Sequence, residues 1–252
     1  MNAKSEKILS KVPEVTLGFW IIKILATTLG ETGGDAVSMS MNLGYLVGTG
    51  IFAALFIVAV LGQISAKKFH PALYWTTIIA STTVGTTLAD FADRSLGIGY
   101  PGGTAILLAL LLGSLFIWYR ILGSIAVDTV CSPRSEMFYW VTIMFSQTLG
   151  TALGDWTADT AGLGYSGGAI LFGVMLGAIA IAYFRTSVSR TSLFWSAFVL
   201  TRPLGAVVGD LLDKPLGNGG LALSRYSASA TLILLILSCI LIFQQKPATQ
   251  EH

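Results

Sequence analysis

Four aspartates recur at matching positions along this chain of 252 residues, each inside or at the end of an apolar stretch. They are Asp35, Asp90, Asp155 and Asp210, spaced 55, 65 and 55 residues apart. A glycine stands five residues before each aspartate, and a tryptophan that follows Phe or Tyr stands fifteen residues before it. Acidic residues that repeat within apolar segments indicate a functional site, because a charge is costly to place in a bilayer.

A polar stripe precedes each aspartate at intervals of four residues, which places its members on one helix face. The acidic members, which we interpret as the ion- or substrate-binding residues, are Glu31, Asp35, Asp90, Asp155, Asp159 and Asp210. Two basic residues, Lys23 and Arg202, lie in the same stripes and are expected to compensate or couple these charges. The stripes therefore predict a polar chamber where the four helices face one another.

The chemistry that these side chains offer is that of oxygen ligands. Oxygen donors suit protons, Na⁺, Mg²⁺, Ca²⁺ or Mn²⁺ rather than zinc or copper. The predicted metal ligands are Glu31, Asp35, Asp90, Asp155 and Asp210. The chain has only two histidines and two cysteines, and Cys131 and Cys239 show no metal-ligand spacing. We therefore expect no resident cofactor.

A structural reading of the same residues stays open. In it, the aspartates cap helices or pair with Arg202, Arg94 and Lys214, and the polar core only holds the helices together. Lys23 is expected to pair statically with Glu31, with an internal cation that competes with substrate as the alternative. The four tryptophans are expected to be interfacial anchors at the cytoplasmic ends of their helices.

The elements that carry these residues are apolar helices. The chain is 54% hydrophobic and 11% charged, whereas soluble domains carry about 25% charged residues. Most of its apolar stretches approach or exceed the roughly 20 residues that span a bilayer core. We predict an all-α polytopic membrane protein with about eight transmembrane helices, near 15–38, 43–65, 72–93, 103–120, 137–159, 168–184, 191–213 and 227–243.

The repeats define how these helices are arranged. Residues 1–252 are predicted to form one transmembrane domain of four two-helix repeats, at about 15–66, 71–121, 136–185 and 191–244. Because each repeat contains two spans, all four enter the membrane in the same orientation, as a parallel repeat. The motif helices 1, 3, 5 and 7 are expected inside, where their small residues allow close approach. The plain apolar helices are expected outside, against lipid.

The basic residues predict the orientation. Ten of the fifteen lysines and arginines lie at the N-terminus or in the loops after every second helix, namely Lys4, Lys7, Lys11, Lys67, Lys68, Arg120, Arg134, Arg185, Arg190 and Lys246. The positive-inside rule then places both termini in the cytoplasm. The polar segment 1–14 lacks the features of a cleaved signal. The net charge of +2 gives no reason to expect nucleic-acid binding.

The segments around the four aspartates resemble those of a known family. TLGETGGD, TVGTTLAD, TLGTALGD and RPLGAVVGD are similar to a bacterial family of uncharacterised membrane-anchored proteins with about four copies of a membrane repeat of unknown function. This resemblance covers essentially the whole chain and implies a multi-pass protein of the bacterial inner membrane. A fainter resemblance links Glu31 to Asp35 with manganese and calcium exchangers that carry a Glu-x-Gly-Asp motif, but one extra residue separates the acids here.

These observations lead to an expected function and its alternatives. The main expectation is a transporter of a small inorganic cation, most simply a divalent metal exchanged for protons through the buried carboxylates. The alternatives are a structural or signalling protein with a static polar core, or a transporter of a small organic substrate. An intramembrane aspartyl protease is disfavoured, because the first glycine of its Gly-x-Gly-Asp signature is missing before all four aspartates. Monomer and homodimer both stay open.

Overall fold

The structure, a computed structural model, describes residues 10–249 and is built of helices. Eight long helices follow one another, and each overlaps one predicted apolar span. They are α1 Leu17–Asp35, α2 Tyr45–Ser65, α3 Pro71–Asp90, α4 Tyr100–Leu122, α5 Pro133–Asp155, α6 Gly164–Arg185, α7 Arg190–Asp213 and α8 Arg225–Ile242. An isolated bridge between Pro13 and Pro247 places both ends of the described chain at one end of the bundle. Lys4 and Lys7, used above for the orientation, lie outside the described residues.

The four helices that carry the repeated aspartates form a closed ring. Helix α1 packs against α3 and α7, and α5 packs against the same two helices from the opposite side. Most residues of these four helices are buried, polar ones included. Equivalent positions of the four repeats therefore face a common axis and lie in successive layers along it.

The outer helices connect each repeat to the next one. Helix α2 packs on α3, α4 on α5, and α6 on α7, while α8 returns to the beginning of the chain and packs on α1. The outer helix of a repeat thus covers the inner helix of its successor rather than that of its own hairpin. No repeat is self-contained, and the last outer helix closes the circle.

The distribution of apolar surface differs between inner and outer helices. Helices α2, α4, α6, α7 and α8 are long and apolar enough to cross a membrane. Helices α1, α3 and α5 do not reach that composition, because they carry the polar stripes. The outer helices expose large apolar side chains along most of their length, such as Leu55, Phe116, Ile170 and Leu241. An exposed apolar belt around a polar core is the arrangement expected of a protein whose solvent is lipid.

The backbone changes its form directly after the aspartates. In the first three repeats the α-helix widens into a π-helical turn, at Ala36–Ser40, Phe91–Ser95 and Trp156–Thr160. π-helical turns are frequent at functional sites. Tight turns follow, and in the second repeat Gly97 and Gly99 adopt φ of 70° and 76°, which residues with a Cβ rarely adopt. In the fourth repeat α7 instead continues to Asp213.

The glycines five residues before the aspartates are the contact points of the ring. Each one receives the side chain that stands eight residues before the aspartate of the next repeat; the pairs are Gly30 with Thr82, Gly85 with Gln147, Gly150 with Arg202 and Gly205 with Thr27. A Cβ on Gly85 would lie 2.9 Å from the backbone carbonyl carbon of Gln147. Because the same contact recurs around the ring, these glycines set the distance between neighbouring inner helices.

Candidate functional site

The four repeated aspartates lie together in one layer, which we call the aspartate ring. Asp35, Asp90, Asp155 and Asp210 are each at most 3% exposed, and each stands at the last α-helical turn of its helix or close to it. They occupy the end of the bundle opposite to the two ends of the described chain. The ring forms because the same helix face of every repeat turns toward the common axis.

Lys214 holds one half of the aspartate ring. Its Nζ atom lies 2.6 Å from Asp35 Oδ2 and 3.0 Å from Asp210 Oδ1. Burial lowers the pKa of Lys214, but the carboxylates of Asp210, Asp35 and Asp213 outweigh that effect and raise it above its ordinary value. The ammonium group therefore stays protonated and occupies the place of a cation between two carboxylates.

Arg94 holds the other half of the aspartate ring. Its Nε atom lies 2.8 Å from Asp90 Oδ1, and its Nη2 atom lies 3.4 Å from Asp155 Oδ2. The Arg94 side chain is 35% exposed, so this half of the ring is closer to solvent than the other. Arg94 and Lys214 both follow their own aspartate by four residues, in the second and fourth repeats. The ring is thus made of two similar clamps, as expected if a pair of repeats was duplicated.

A second layer, one helical turn deeper, centres on Glu31. The Arg202 side chain extends from α7 toward the ring axis, where its Nη2 atom lies 2.9 Å from Glu31 Oε2. The same nitrogen donates to the hydroxyls of Thr86 and Thr151, at 2.6 and 2.5 Å. Glu31, Thr86 and Thr151 stand four residues before their aspartates in the first three repeats. Arg202 is fully buried, so this charge pair joins all four inner helices at the bundle centre.

Lys23 does not make the pair that the sequence suggested. The expected static pair of Lys23 with Glu31 is wrong, because Arg202 takes the Glu31 carboxylate. Lys23 is fully buried two turns deeper, with its Nζ atom 4.2 Å from the centre of the Phe198 ring. Among the described residues its Nζ has no hydrogen-bond partner. The Lys23 amino group therefore packs on the Phe198 ring rather than compensating the charge of Glu31.

Asp159 was predicted to join the buried acids, and the structure places it elsewhere. It lies in the π-helical turn after α5, where its side chain is exposed. The Tyr100 hydroxyl donates to Asp159 Oδ2 across 3.4 Å. The change from an α-helical to a π-helical turn after Asp155 alters the four-residue spacing on which the prediction depended. Asp159 is therefore a residue of the outer rim.

Aromatic side chains close the axis at the other end. Phe19, Tyr74, Tyr139 and Phe194 occupy equivalent positions and are at most 3% exposed. The hydroxyl groups of Tyr74 and Tyr139 lie 2.6 Å apart and share a hydrogen bond. This aromatic layer separates the two charged layers from the end of the bundle that holds the chain termini. On the side of the glycine-rich turns, the Arg94 side chain of the aspartate ring is 35% exposed, whereas the aromatic layer is buried.

The prediction that the four tryptophans are interfacial anchors is wrong for three of them. Trp75, Trp140 and Trp195 are at most 4% exposed, since neighbouring helices and segments at this end cover them. The indole of Trp195 donates to the carbonyl of Ile125 at 3.0 Å, and that of Trp75 donates to Gln245 at 3.3 Å. Only Trp20 keeps a partly exposed ring.

The predicted metal ligands separate into two groups. Carboxylate oxygens of Glu31, Asp35 and Asp210 lie within 4.8 Å of one another and could hold a cation together. Asp90 and Asp155 lie on the Arg94 side of the ring instead. Within the two layers, five carboxylates face the three basic groups of Arg94, Arg202 and Lys214, while Arg225 and Asp213 pair with each other at the rim and add one charge of each sign. Two negative charges are left over, which matches the charge of one divalent ion or of two protons.

Arg225 is a residue of the site that sequence reasoning missed. It begins α8, where its Nε lies 2.8 Å from Asp213 Oδ2 and its Nη2 lies 3.6 Å from Asp35 Oδ2. It therefore joins the fourth repeat to the first at the ring. Its position near an outer loop made it look peripheral, and no spacing rule connects it with Asp35.

The ring of repeated helical hairpins around buried acids defines a class of repeat protein, and comparison with known families identifies it. The chain matches a family described as a repeat of unknown function (DUF347) at four places, residues 18–69, 73–123, 138–189 and 193–246. The chain belongs to this family, which confirms the first resemblance drawn from the aspartate segments. No curated protein and no solved structure matches the chain.

Proposed function

We propose that this protein transports a small inorganic cation across a bacterial inner membrane, in exchange for protons. The cargo that fits best is a divalent metal ion of the Mn²⁺, Ca²⁺ or Mg²⁺ type. The observation that carries the proposal is the excess of two carboxylates in the aspartate ring and the Glu31 layer. One divalent ion or two protons would neutralise this excess, so the two cargoes would replace each other at the same site.

The proposed transporter crosses the membrane with all eight helices. Five of them are apolar enough to do so alone, and the remaining three are enclosed by neighbours that expose apolar side chains. Both termini would lie in the cytoplasm, where the lysine- and arginine-rich loops concentrate. The aspartate ring then lies toward the outer side, and the aromatic layer lies toward the cytoplasm. This arrangement corresponds to a carrier whose cytoplasmic path is closed.

The Lys214 ammonium group would occupy the site when no transported ion is bound. Its ammonium group lies between Asp35 and Asp210, where a transported cation would also bind. An arriving ion would shift this tethered cation toward the neighbouring Asp213 carboxylate, so that its charge stays within the cluster, and would take oxygen ligands from Asp35, Asp210 and Glu31. The displaced lysine sits directly after the last residue of α7, so its side chain can move outward without unfolding the helix.

Release toward the cytoplasm requires a change in the inner helices. The aromatic layer has to open, and the shared hydrogen bond between Tyr74 and Tyr139 has to break or move. Close-packed glycine contacts around the ring allow neighbouring helices to slide as rigid elements. Protons entering from one side would then take the carboxylates that the metal ion leaves.

Flux measurements in proteoliposomes test the proposal. Mn²⁺, Ca²⁺ and Mg²⁺ are offered outside, with a metal indicator and a pH probe inside. We expect metal entry with opposite proton movement, and loss of both in Asp210→Asn and Asp90→Asn. Asp159→Asn is the matched control, because it changes the same chemical group at the exposed rim. Flux that survives Asp210→Asn, or no flux of any of these ions in the wild type, would overturn the proposal.

One observation favours a static polar core as the alternative function. Each member of the aspartate ring has a basic partner within 4.0 Å, so the ring could serve only to hold the repeats in register. A protein of this kind would show no flux. It would also keep its stability after Asp90→Asn, since an amide can accept the same hydrogen bond from Arg94.

A further inference from the structure

A groove on the outside of the bundle breaks the fourfold repetition. It lies between α1, α6 and α7 at the end that holds the chain termini, and its volume is about 400 Å³. Apolar side chains form nearly all of its wall, among them Leu17, Trp20, Ile24, Leu176, Ala180, Phe184 and Ala197. The groove is separate from the aspartate ring and from the Glu31 layer, and the proposed transport makes no use of it.

Comparison between the repeats shows that their tryptophans are covered differently. The equivalent position beside Trp75, between α3 and α8, encloses about 130 Å³. There the C-terminal segment covers the indole through Gln245, and at Trp195 the segment before α5 does so through Ile125. Trp20 has no such cover among the described residues, and its indole donates no hydrogen bond within them.

A single basic residue stands at the mouth of the groove. The Arg190 guanidinium lies 4.2 Å from the centre of the Tyr183 ring and donates to the Tyr183 carbonyl through Nη1. Its other N–H groups make no contact with an acid among the described residues, and the segment 185–190 contains no aspartate or glutamate. The groove therefore ends at a positive charge that no acid among the described residues neutralises.

The length of the groove matches one leaflet of a bilayer. Along α7 its wall runs from Arg190 to Thr201, a rise of about 16 Å at 1.5 Å per residue. Half of a bilayer hydrocarbon core is about 15 Å thick. A charged mouth at the interface and an apolar wall of one leaflet's depth correspond to the headgroup and one acyl chain of a single lipid.

We infer that this groove binds one anionic phospholipid of the leaflet on the side of the chain termini. One acyl chain lies along Trp20, Ala180 and Ala197, and the lipid phosphate pairs with Arg190. Basic residues at the mouths of grooves between transmembrane helices recognise anionic headgroups in this way. The lipid would supply the cover that the second and fourth repeats obtain from protein segments.

Native mass spectrometry of the purified full-length protein tests this inference, with phosphatidylglycerol and phosphatidylcholine of identical acyl chains as probes. We expect one tightly bound phosphatidylglycerol per chain. Ala180→Phe, which fills the groove, should remove it, while Ala178→Phe on the lipid-exposed face of the same helix should not. Arg190→Gln should lower the preference for phosphatidylglycerol about fivefold, and Arg185→Gln should leave it unchanged.

Two results would overturn the inference. Equal retention of both lipids by the wild type would remove the role of Arg190, and undiminished binding in Ala180→Phe would place the lipid elsewhere. Arg190→Gln changes a partly exposed residue at the mouth of the groove and leaves its apolar wall in place. It therefore tests the headgroup contact even if Ala180→Phe folds poorly.

Discussion

Replacing Lys214 by methionine removes the tethered cation from the aspartate ring while keeping a side chain of similar length. Asp35 and Asp210 then lose the ammonium group that lies 2.6 and 3.0 Å from their oxygens. The excess of carboxylates in the two charged layers rises from two to three. Among the described residues, Asp35 then keeps Arg225, at 3.6 Å, as its one basic neighbour.

The expected loss of stability follows from the burial of this cluster. Breaking a buried ion pair by removing one partner costs about 3–5 kcal/mol, because the other charge stays buried without compensation. For a chain of this size each kcal/mol corresponds to a shift in melting temperature of about 2–4 °C. In the presence of a chelator, Lys214→Met should therefore melt roughly 6–20 °C below the wild type.

A divalent ion should restore part of this loss, because it can take the place of the ammonium group. An ion at a hundredfold excess over its Kd stabilises the folded state by about 2.7 kcal/mol, or roughly 5–11 °C. The wild type should respond less, since the ion has to displace Lys214 first. Thermal unfolding of the detergent-solubilised protein, followed by tryptophan fluorescence with and without Mn²⁺ or Ca²⁺, measures both effects.

Lys68→Met is the matched control, because Lys68 is an exposed lysine in the loop between α2 and α3. It should change neither the melting temperature nor the response to ions. If Lys214→Met melted like the wild type in chelator, Lys214 would not be the charge that the ring requires. If Lys214→Met were destabilised but no divalent ion raised its melting temperature, the carboxylates of Glu31, Asp35 and Asp210 would not form a cation site.

Three further predictions concern the ring contacts, the Glu31 layer and the effect of pH. Gly85→Ala should destabilise the fold by about 1–3 kcal/mol, because the new Cβ meets the backbone of Gln147. Gly113→Ala is the control: no atom lies near its Cβ, so it should be neutral or stabilising by up to about 1 kcal/mol. Equal unfolding curves for the two variants would contradict the packing argument. Arg202→Met should lower the free energy of unfolding by about 3–5 kcal/mol, because it leaves the Glu31 carboxylate buried without its partner. Adding Glu31→Gln should recover part of that loss in a double-mutant cycle of unfolding free energies. Additive losses would mean that the pair is not coupled. Divalent-ion affinity, measured by titration calorimetry, should fall with decreasing pH, by up to about a hundredfold per unit where two protons replace one ion, and a pH-independent affinity would separate the metal from the carboxylates.

The sequence by itself determined the helices, the repeat and the members of the aspartate ring. Each of these depends on spacing along one helix or on identity between repeats. Apolar stretches define the helices, and four aspartates at equivalent positions of four equivalent hairpins come to equivalent places in the ring. The repeat therefore predicts that Asp35 and Asp210 meet, although 175 residues separate them in the chain.

Only the tertiary structure decided which basic group pairs with which acid. The four-residue spacing places Lys23 and Glu31 on one face of α1, yet Arg202 of α7 takes the carboxylate, because ring closure brings α7 beside α1 at that height. The same closure sets Lys214 of the fourth repeat on Asp35 of the first. A helical pattern defines the face that a residue occupies, but the rotation and height of the neighbouring helix decide what that residue meets.

The outer shell shows the same division. Apolar composition predicts that α2, α4, α6 and α8 lie outside, but it does not predict that each one covers the inner helix of the next repeat. That exchange buries Trp75, Trp140 and Trp195 and leaves Trp20 beside an open groove. Four tryptophans at identical repeat positions differ in exposure because their surroundings come from distant parts of the chain. Local sequence defines which side chains each repeat carries, and the closure of the ring defines which neighbouring segments pack against them.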